Sequence, residues 1–323
     1  METNGTLNRI DKLLRRVDRS MRVLEIGPSY SPTAPKAAGW QSFVLDHASQ
    51  AELREKYASL GVPTANIEPV DFVWHDGPIE TAVPKHMHGS FDACIASHVI
   101  EHVPDPISLF HSLDRLLAAD GVVSLAVPDK RFCFDFFRPL TLTPAWIEAF
   151  ERKATRHSKR ALRECQAYMA HNGELVAWGQ HEAEIALRLV ADVTAMKHVV
   201  DAVEPPDLSP YVDCHAWCFT PSSFELLFLE LAALGLVNFR ISDSFPTVGC
   251  EFFVTLRKGQ PELAVPAQDR RLQLLRAIAG ELAEQDACLR PKSPPKRRGR
   301  LARVSHSIQR RLRAFRRGEK PKS

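Results

Sequence analysis

The chain has 323 residues, 45% hydrophobic and 25% charged, the balance of an ordinary soluble enzyme with room for one large domain, or one domain with an insertion and a tail. No apolar run approaches the roughly 18 to 20 residues that span a bilayer, and the polar opening METNGTLNRIDKLLRR lacks the apolar core of a secretory signal, so a cytoplasmic protein is expected. The net charge of +3 conceals an asymmetry: residues 290–323 carry 14 Lys and Arg against one acid, and the remainder carries 28 basic residues against 38 acidic ones.

In chain order, Leu7, Ile10, Leu13, Leu14 and Val17 recur at helical spacing. Strand patterns follow over residues 22–26, 42–46 and, more weakly, 67–71, then over 91–97 and 122–127. Between the last two lies an amphipathic helix that starts at Pro104-Asp105-Pro106, buries Leu109, Leu113, Leu116 and Leu117, and ends at the turn Asp120-Gly121. Strands alternating with helices predict a mostly parallel sheet. The segment after the fifth strand, about 129–220, holds helical stretches around 144–153, 161–169 and 182–203. It is either a solvent-covered decoration or a lid over the carboxyl edge of the sheet, where ligands of such folds bind. A helix over 221–234 and an antiparallel strand pair over 238–243 and 251–257 follow. These divide the chain into a domain over 1–258, a C-terminal helix within 259–290 and a basic tail over 291–323.

The residues that carry chemistry gather at the predicted strand ends. Strand 22–26 ends in Glu25-Ile26 and feeds a tight turn at Gly27, where the missing side chain lets the backbone approach a ligand closely. The loop has a single glycine followed by Pro28, which argues against a dinucleotide, whose pyrophosphate needs the G-x-G-x-x-G fingerprint. Strand 42–46 ends in Asp46, followed by His47; an acid there either accepts ribose hydroxyls or caps the next helix. His98-Val99-Ile100-Glu101-His102 matches the H-x-x-E-H of inverted zinc proteases. That chemistry needs a helix presenting both histidines on one face, and Pro104 stands two residues on. Among the seven cysteines no C-x-x-C pair occurs; Cys214 and Cys218 accompany His215 without a second ligand pair, so reduced thiols and no metal are expected.

The segments LEIGPSYSP, VLDHAS, VDFVW, ASHVIEHVPDP and PDKRFCFD, with a late HAWCFTPSSF, make the chain resemble the type 11 class I S-adenosylmethionine-dependent methyltransferases over roughly residues 21–258. The resemblance implies a doubly wound, Rossmann-like α/β fold: a seven-stranded sheet with an antiparallel last strand and a helical insertion after the fifth. It implies S-adenosyl-L-methionine as cofactor, held by Glu25, Gly27, Pro28, Asp46, His47, Asp71, Phe72, Ser97 and His98. Asp71 would meet the adenine amino group, Phe72 the ring, and Ser97 and His98 the methionine half. A hydroxyl acceptor also needs a base, for which His98, Asp129 and His215 are candidates, with Asp135 and Arg138 orienting the acceptor. His215 reads equally as a packed structural histidine, and Phe132, Phe134, Phe136 and Phe137 as core or as a wall for a sugar. Bacterial chains of this kind often look like sugar or polysaccharide-pathway enzymes, which implies a small-molecule or glycan-type acceptor. A lipid or quinone-like acceptor and a silent binder of the cofactor are the alternatives.

In the tail, Leu301, Val304, Ile308, Leu312 and Phe315 recur at three and four, with most arginines elsewhere on the wheel. Residues 301–316 read as a basic amphipathic helix suited to peripheral contact with an anionic inner-membrane surface, or as a solvated tail. The acidic body argues against a nucleic-acid partner.

Overall fold

The structure, a computed structural model, describes residues 7–180, 186–197 and 211–289. It divides into one compact unit, Met1–Gln285, and a second, Asp286–Ser323. The basic amphipathic segment 301–316 and both ends of the helix expected over 182–203, residues 182–185 and 198–203, lie outside the described residues. Among the described residues no helix is long and apolar enough to cross a membrane.

A short helix α1 (Arg9–Leu13), capped by Asn8 and Asp11, precedes the first strand β1 (Arg22–Ile26). Strand β2 (Gln41–Asp46), helix α2 (Gln50–Tyr57), strand β3 (Phe72–Val73) and strand β4 (Phe91–Ser97) follow. Next come α3 (Pro106–Leu116) and β5 (Leu117–Pro128), then the insertion with α4 (Thr143–Glu151), α5 (Lys159–Tyr168) and a hairpin of β6 (Ala170–Asn172) and β7 (Leu187–Leu189). Helix α6 (Pro221–Ala233), strands β8 (Phe239–Val248) and β9 (Glu251–Lys258) and helix α7 (Ala267–Leu289) complete the chain.

The main sheet has seven strands in the order β3-β2-β1-β4-β5-β9-β8. The first five are parallel, and β9 runs antiparallel to both β5 and β8. This is the expected doubly wound sheet with its antiparallel end. Its central strands carry near-continuous apolar runs because helices cover both faces. Helix α3 starts where Pro106 fits the first turn and the Asp105 side chain accepts from the Ser108 N–H at 3.0 Å.

Three expectations need correction. The third strand is not 67–71: pairing with β2 begins only at Phe72, so Asp71 stands at the strand's entrance. Asp120-Gly121 does not end the helix in a turn; β5 starts at Leu117, and residues up to Val122 form an irregularity in its register with β4. Within the segment expected as helix over 182–203, residues 187–189 are extended and pair with β6.

The insertion is not a solvent-covered decoration. Trp146 of α4 is fully buried, its ring 6.3 Å from Phe110 of α3, 6.0 Å from Phe219 and 6.3 Å from Phe228 of α6. Phe132 and Phe136 are core, packed with Trp178, whereas Phe137 is exposed. Large aromatic side chains carry much of a core's apolar burial. Trp146→Ala is therefore expected to cost about 3–5 kcal/mol in urea unfolding; a loss below about 1 kcal/mol would show that the insertion folds independently of the sheet.

Candidate active site

At the carboxyl end of β1 the chain turns through two left-handed residues, Gly27 (φ 61°) and Ser29 (φ 51°), on either side of Pro28. The Gly27 N–H donates to the Leu45 carbonyl at 2.9 Å, which fastens this turn to the end of β2. Glu25 does not face the crevice. Its buried carboxylate accepts from the Thr33 and Ala34 N–H groups at 2.6 and 3.2 Å, fixing the far side of the loop. Burial raises the Glu25 pKa in spite of those two bonds.

Asp46 closes β2. One oxygen accepts from the His47 N–H at 2.7 Å and lies 2.6 Å from His47 Nδ1, while the other, Oδ2, is buried and has no partner among the described residues. The Ser29 hydroxyl is likewise buried and unpartnered. Orphaned polar atoms are uncommon in a folded interior and point to a missing partner. A carboxylate oxygen without a donor, one strand from a close-approach glycine turn, fits the ribose of S-adenosylmethionine, and His47, half exposed, stands beside it.

Asp71 and Phe72 are placed otherwise than the resemblance implies. Asp71 Oδ2 accepts from the Val44 N–H at 2.7 Å and from Lys36 Nζ at 2.6 Å. Phe72 is buried and stacks on Phe43 at 6.1 Å. Both serve the sheet. Just beyond β3, Trp74, Asp76 and Ile79 line a cavity of about 580 Å³ together with Ile26, Val99 and Val103. The end of α4 closes it through Phe150, so the insertion does wall a cavity at the sheet's carboxyl edge. The quoted VDFVW motif already contained Trp74, but not the strand register that brings it to the edge.

A second, polar region begins where β4 ends. His98 adopts φ 54°, a left-handed conformation that costs a non-glycine residue about 1–3 kcal/mol and clusters at functional sites. Its Nε2 lies 2.8 Å from Glu251 at the start of β9. Arg9 holds Glu251 through Nε at 2.7 Å and donates to the Ser97 hydroxyl at 2.6 Å. Ser97 is thus engaged by α1. Burial pushes the His98 pKa down, but the Glu251 hydrogen bond and the Glu101 and Glu251 charges outweigh it and leave the pKa raised.

Glu101 is completely buried, and neither of its carboxylate oxygens has a hydrogen-bond partner among the described residues. Its Oε1 lies 3.6 Å from His98 Nδ1 and 3.9 Å from the Nε2 atoms of both His102 and His215. His215 Nδ1 meets Asp135 at 2.5 Å, and Arg138 meets the same carboxylate at 2.7 Å. Burial alone would raise the Asp135 pKa; the His215 and Arg138 charges reverse that and lower it to about 2. So Asp135 and Arg138 hold His215 rather than facing an acceptor. Asp129 is no base either: fully buried, it is gripped by Arg131 at 2.7–3.2 Å and by the Thr247 hydroxyl at 2.6 Å. Sequence reading missed Glu101, His102, Glu251 and Arg9. The H-x-x-E-H pattern signalled the first two, while nothing local could pair Arg9 with a residue 242 positions away.

At the edge where the strand order reverses, a glycine turn follows β1 and a buried acid oxygen without a partner among the described residues ends β2. Residues 6–179, more than half of the chain, match the methyltransferase domain family, and the chain belongs to that family. It is an S-adenosylmethionine-dependent methyltransferase. No curated protein matches it. A solved S-adenosylmethionine-dependent methyltransferase from Methanosarcina mazei is 15% identical, with 80% of this chain and 100% of that one covered at a TM-score of 0.39. One from Mesorhizobium loti is 13% identical, with 76% and 95% covered at 0.38. The mitomycin 7-O-methyltransferase MmcR is 13% identical, with 77% and 53% covered at 0.36.

Asp46→Ala is expected to weaken S-adenosylhomocysteine binding about 10- to 100-fold in calorimetry, the scale of one or two hydrogen bonds to a charged acceptor, while the unliganded protein keeps its melting temperature. Unchanged affinity would remove Asp46 from the cofactor site.

Proposed function

We propose that this enzyme methylates a hydroxyl of a small polar, glycan-type acceptor. The observation that carries the reading is the polar cluster at the end of β4 and the start of β9, where His98, Glu101, Glu251 and Arg9 meet. Such a cluster suits a hydroxylated acceptor better than a lipid tail, because burying charged groups against hydrocarbon leaves them unsolvated.

In this reading the cofactor lies over the β1 and β2 ends. Gly27 and Pro28 let it approach, Asp46 and His47 take its ribose, Trp74 and Asp76 border its adenine side, and Ser97 and His98 flank its methionine half. Glu25 shapes the loop without touching the ligand. S-adenosylmethionine, when bound, supplies an electrophilic methyl group on a sulfonium. His98 is the base. A carboxylate can only accept, so the contact with Glu251 puts a ring hydrogen on Nε2, and in the neutral form of the ring Nδ1 is the atom that takes the acceptor's proton. Arg9 fixes Glu251, which fixes the ring, the same division of labour as in a nucleophile–base–orienter arrangement. The domain over 1–258 performs the reaction, and its insertion shapes the acceptor side. The protein works in the cytoplasm.

The test is a screen of nucleotide sugars and glycan fragments with radiolabelled S-adenosylmethionine, followed by His98→Gln on the acceptor found. The variant is expected to lose about 10²- to 10⁴-fold in kcat while S-adenosylhomocysteine affinity changes only a few-fold. Turnover by His98→Gln at the wild-type rate would exclude His98 as base; methylation confined to lipid or quinone acceptors would overturn the acceptor class.

A further inference from the structure

The cluster around Glu101 contains more than a base needs. Two histidines present Nε2 to one carboxylate oxygen, 3.9 Å away in each case. One chosen donor atom from each of Glu101, His102 and His215 lies within 4.8 Å of the others. The opposite edge of each ring is taken: His102 Nδ1 by Asp213 at 2.8 Å and His215 Nδ1 by Asp135 at 2.5 Å. Each of those carboxylates accepts, so each Nδ1 donates and each ring turns its Nε2 toward Glu101. With or without a proton on Nε2, 3.9 Å is too long for a hydrogen bond, so neither ring satisfies the Glu101 carboxylate.

We propose that Glu101, His102 and His215 form a binding site for a divalent first-row transition cation. A cation at their common point takes one ligand atom from each and satisfies the otherwise unpartnered, fully buried Glu101. Two ligands at about 2.0–2.2 Å from one ion can stand up to about 4.4 Å apart, and both Glu–His spacings fall inside that limit. The carboxylates behind both rings are the outer partners that orient metal-bound imidazoles and fix their tautomers. Two imidazoles and one carboxylate select zinc, manganese, iron or cobalt over magnesium or calcium, and three protein ligands leave coordination positions open. His102 is part-exposed, which gives the ion a way in. His98 Nδ1 is 3.6 Å from the same carboxylate, so the open positions adjoin the proposed base. The ion's use, holding the acceptor hydroxyl beside His98, rests on the methyl-transfer reading; its binding does not.

The experiment uses the full chain, stripped with chelator, dialysed and titrated with Co²⁺, followed by visible absorption and calorimetry, and separately with Zn²⁺. One equivalent is expected, with ligand-field bands that Zn²⁺ displaces. Glu101→Gln and His215→Ala are expected to weaken Co²⁺ at least about 100-fold, and Asp135→Asn about 10- to 100-fold, the cost of losing an outer partner. His102→Gln, at the exposed edge of the cluster, tests the site should the buried variants fail to fold. Absence of Co²⁺ and Zn²⁺ binding by the wild type overturns the inference, as does binding that survives in His102→Gln and Glu101→Gln alike. S-adenosylhomocysteine titration of the same samples separates this failure from that of the methyltransferase reading: cofactor binding without metal sinks only the site.

Discussion

Strand order reverses between β1 and β4, and the site depends on that reversal. The chain leaves β1 toward β2 and β3 and then returns on the other side to β4, so loops from two neighbouring carboxyl ends part from each other. The groups that open the site lie close in sequence to a strand end. Gly27 and Ser29 follow β1, Asp46 ends β2, and His98 follows β4. The two loops also pack closely: a Cβ on Gly27 would stand 3.4 Å from Val99 Cγ2, and its φ of +61° is strained for any other residue.

Polar groups at this edge are buried at a cost that paired partners offset. Asp135 has Arg138 and His215, Asp129 has Arg131, and Glu251 has Arg9 and His98. Removing one member of such a pair strands a buried charge, so the pairs hold loops from distant parts of the chain in one geometry. Glu101 is the exception, buried without a hydrogen bond among the described residues, and the imbalance lies within the histidine cluster itself. The rigid aromatic packing of α4 through Trp146 supports the far wall and lets the insertion contribute to the cavity and to the core together.

The parts of this arrangement legible in the sequence are those set by local pattern. Buried runs at 22–26, 42–46 and 91–97 give β1, β2 and β4 within a residue, and with them Gly27, Asp46 and His98. Asp71 misled because its role depends on register: a shift of the strand's start to Phe72 moves the acid from the exit to the entrance, onto Lys36 and the Val44 N–H. Asp129 misled because its partners, Arg131 and Thr247, reveal themselves only in three dimensions. The H-x-x-E-H pattern shows the opposite lesson. Its protease reading fails on a short 3₁₀ turn, yet Glu101 and His102 do converge with a histidine 113 positions later, a meeting no local spacing encodes.

The claim on which the rest stands is that the crevice binds S-adenosylmethionine. Calorimetric titration of the wild-type protein with S-adenosylmethionine and S-adenosylhomocysteine tests it most directly. Saturable binding of both at one site per chain with micromolar affinity is expected. Absence of binding by either at millimolar concentration, from a protein shown to be folded, would contradict it.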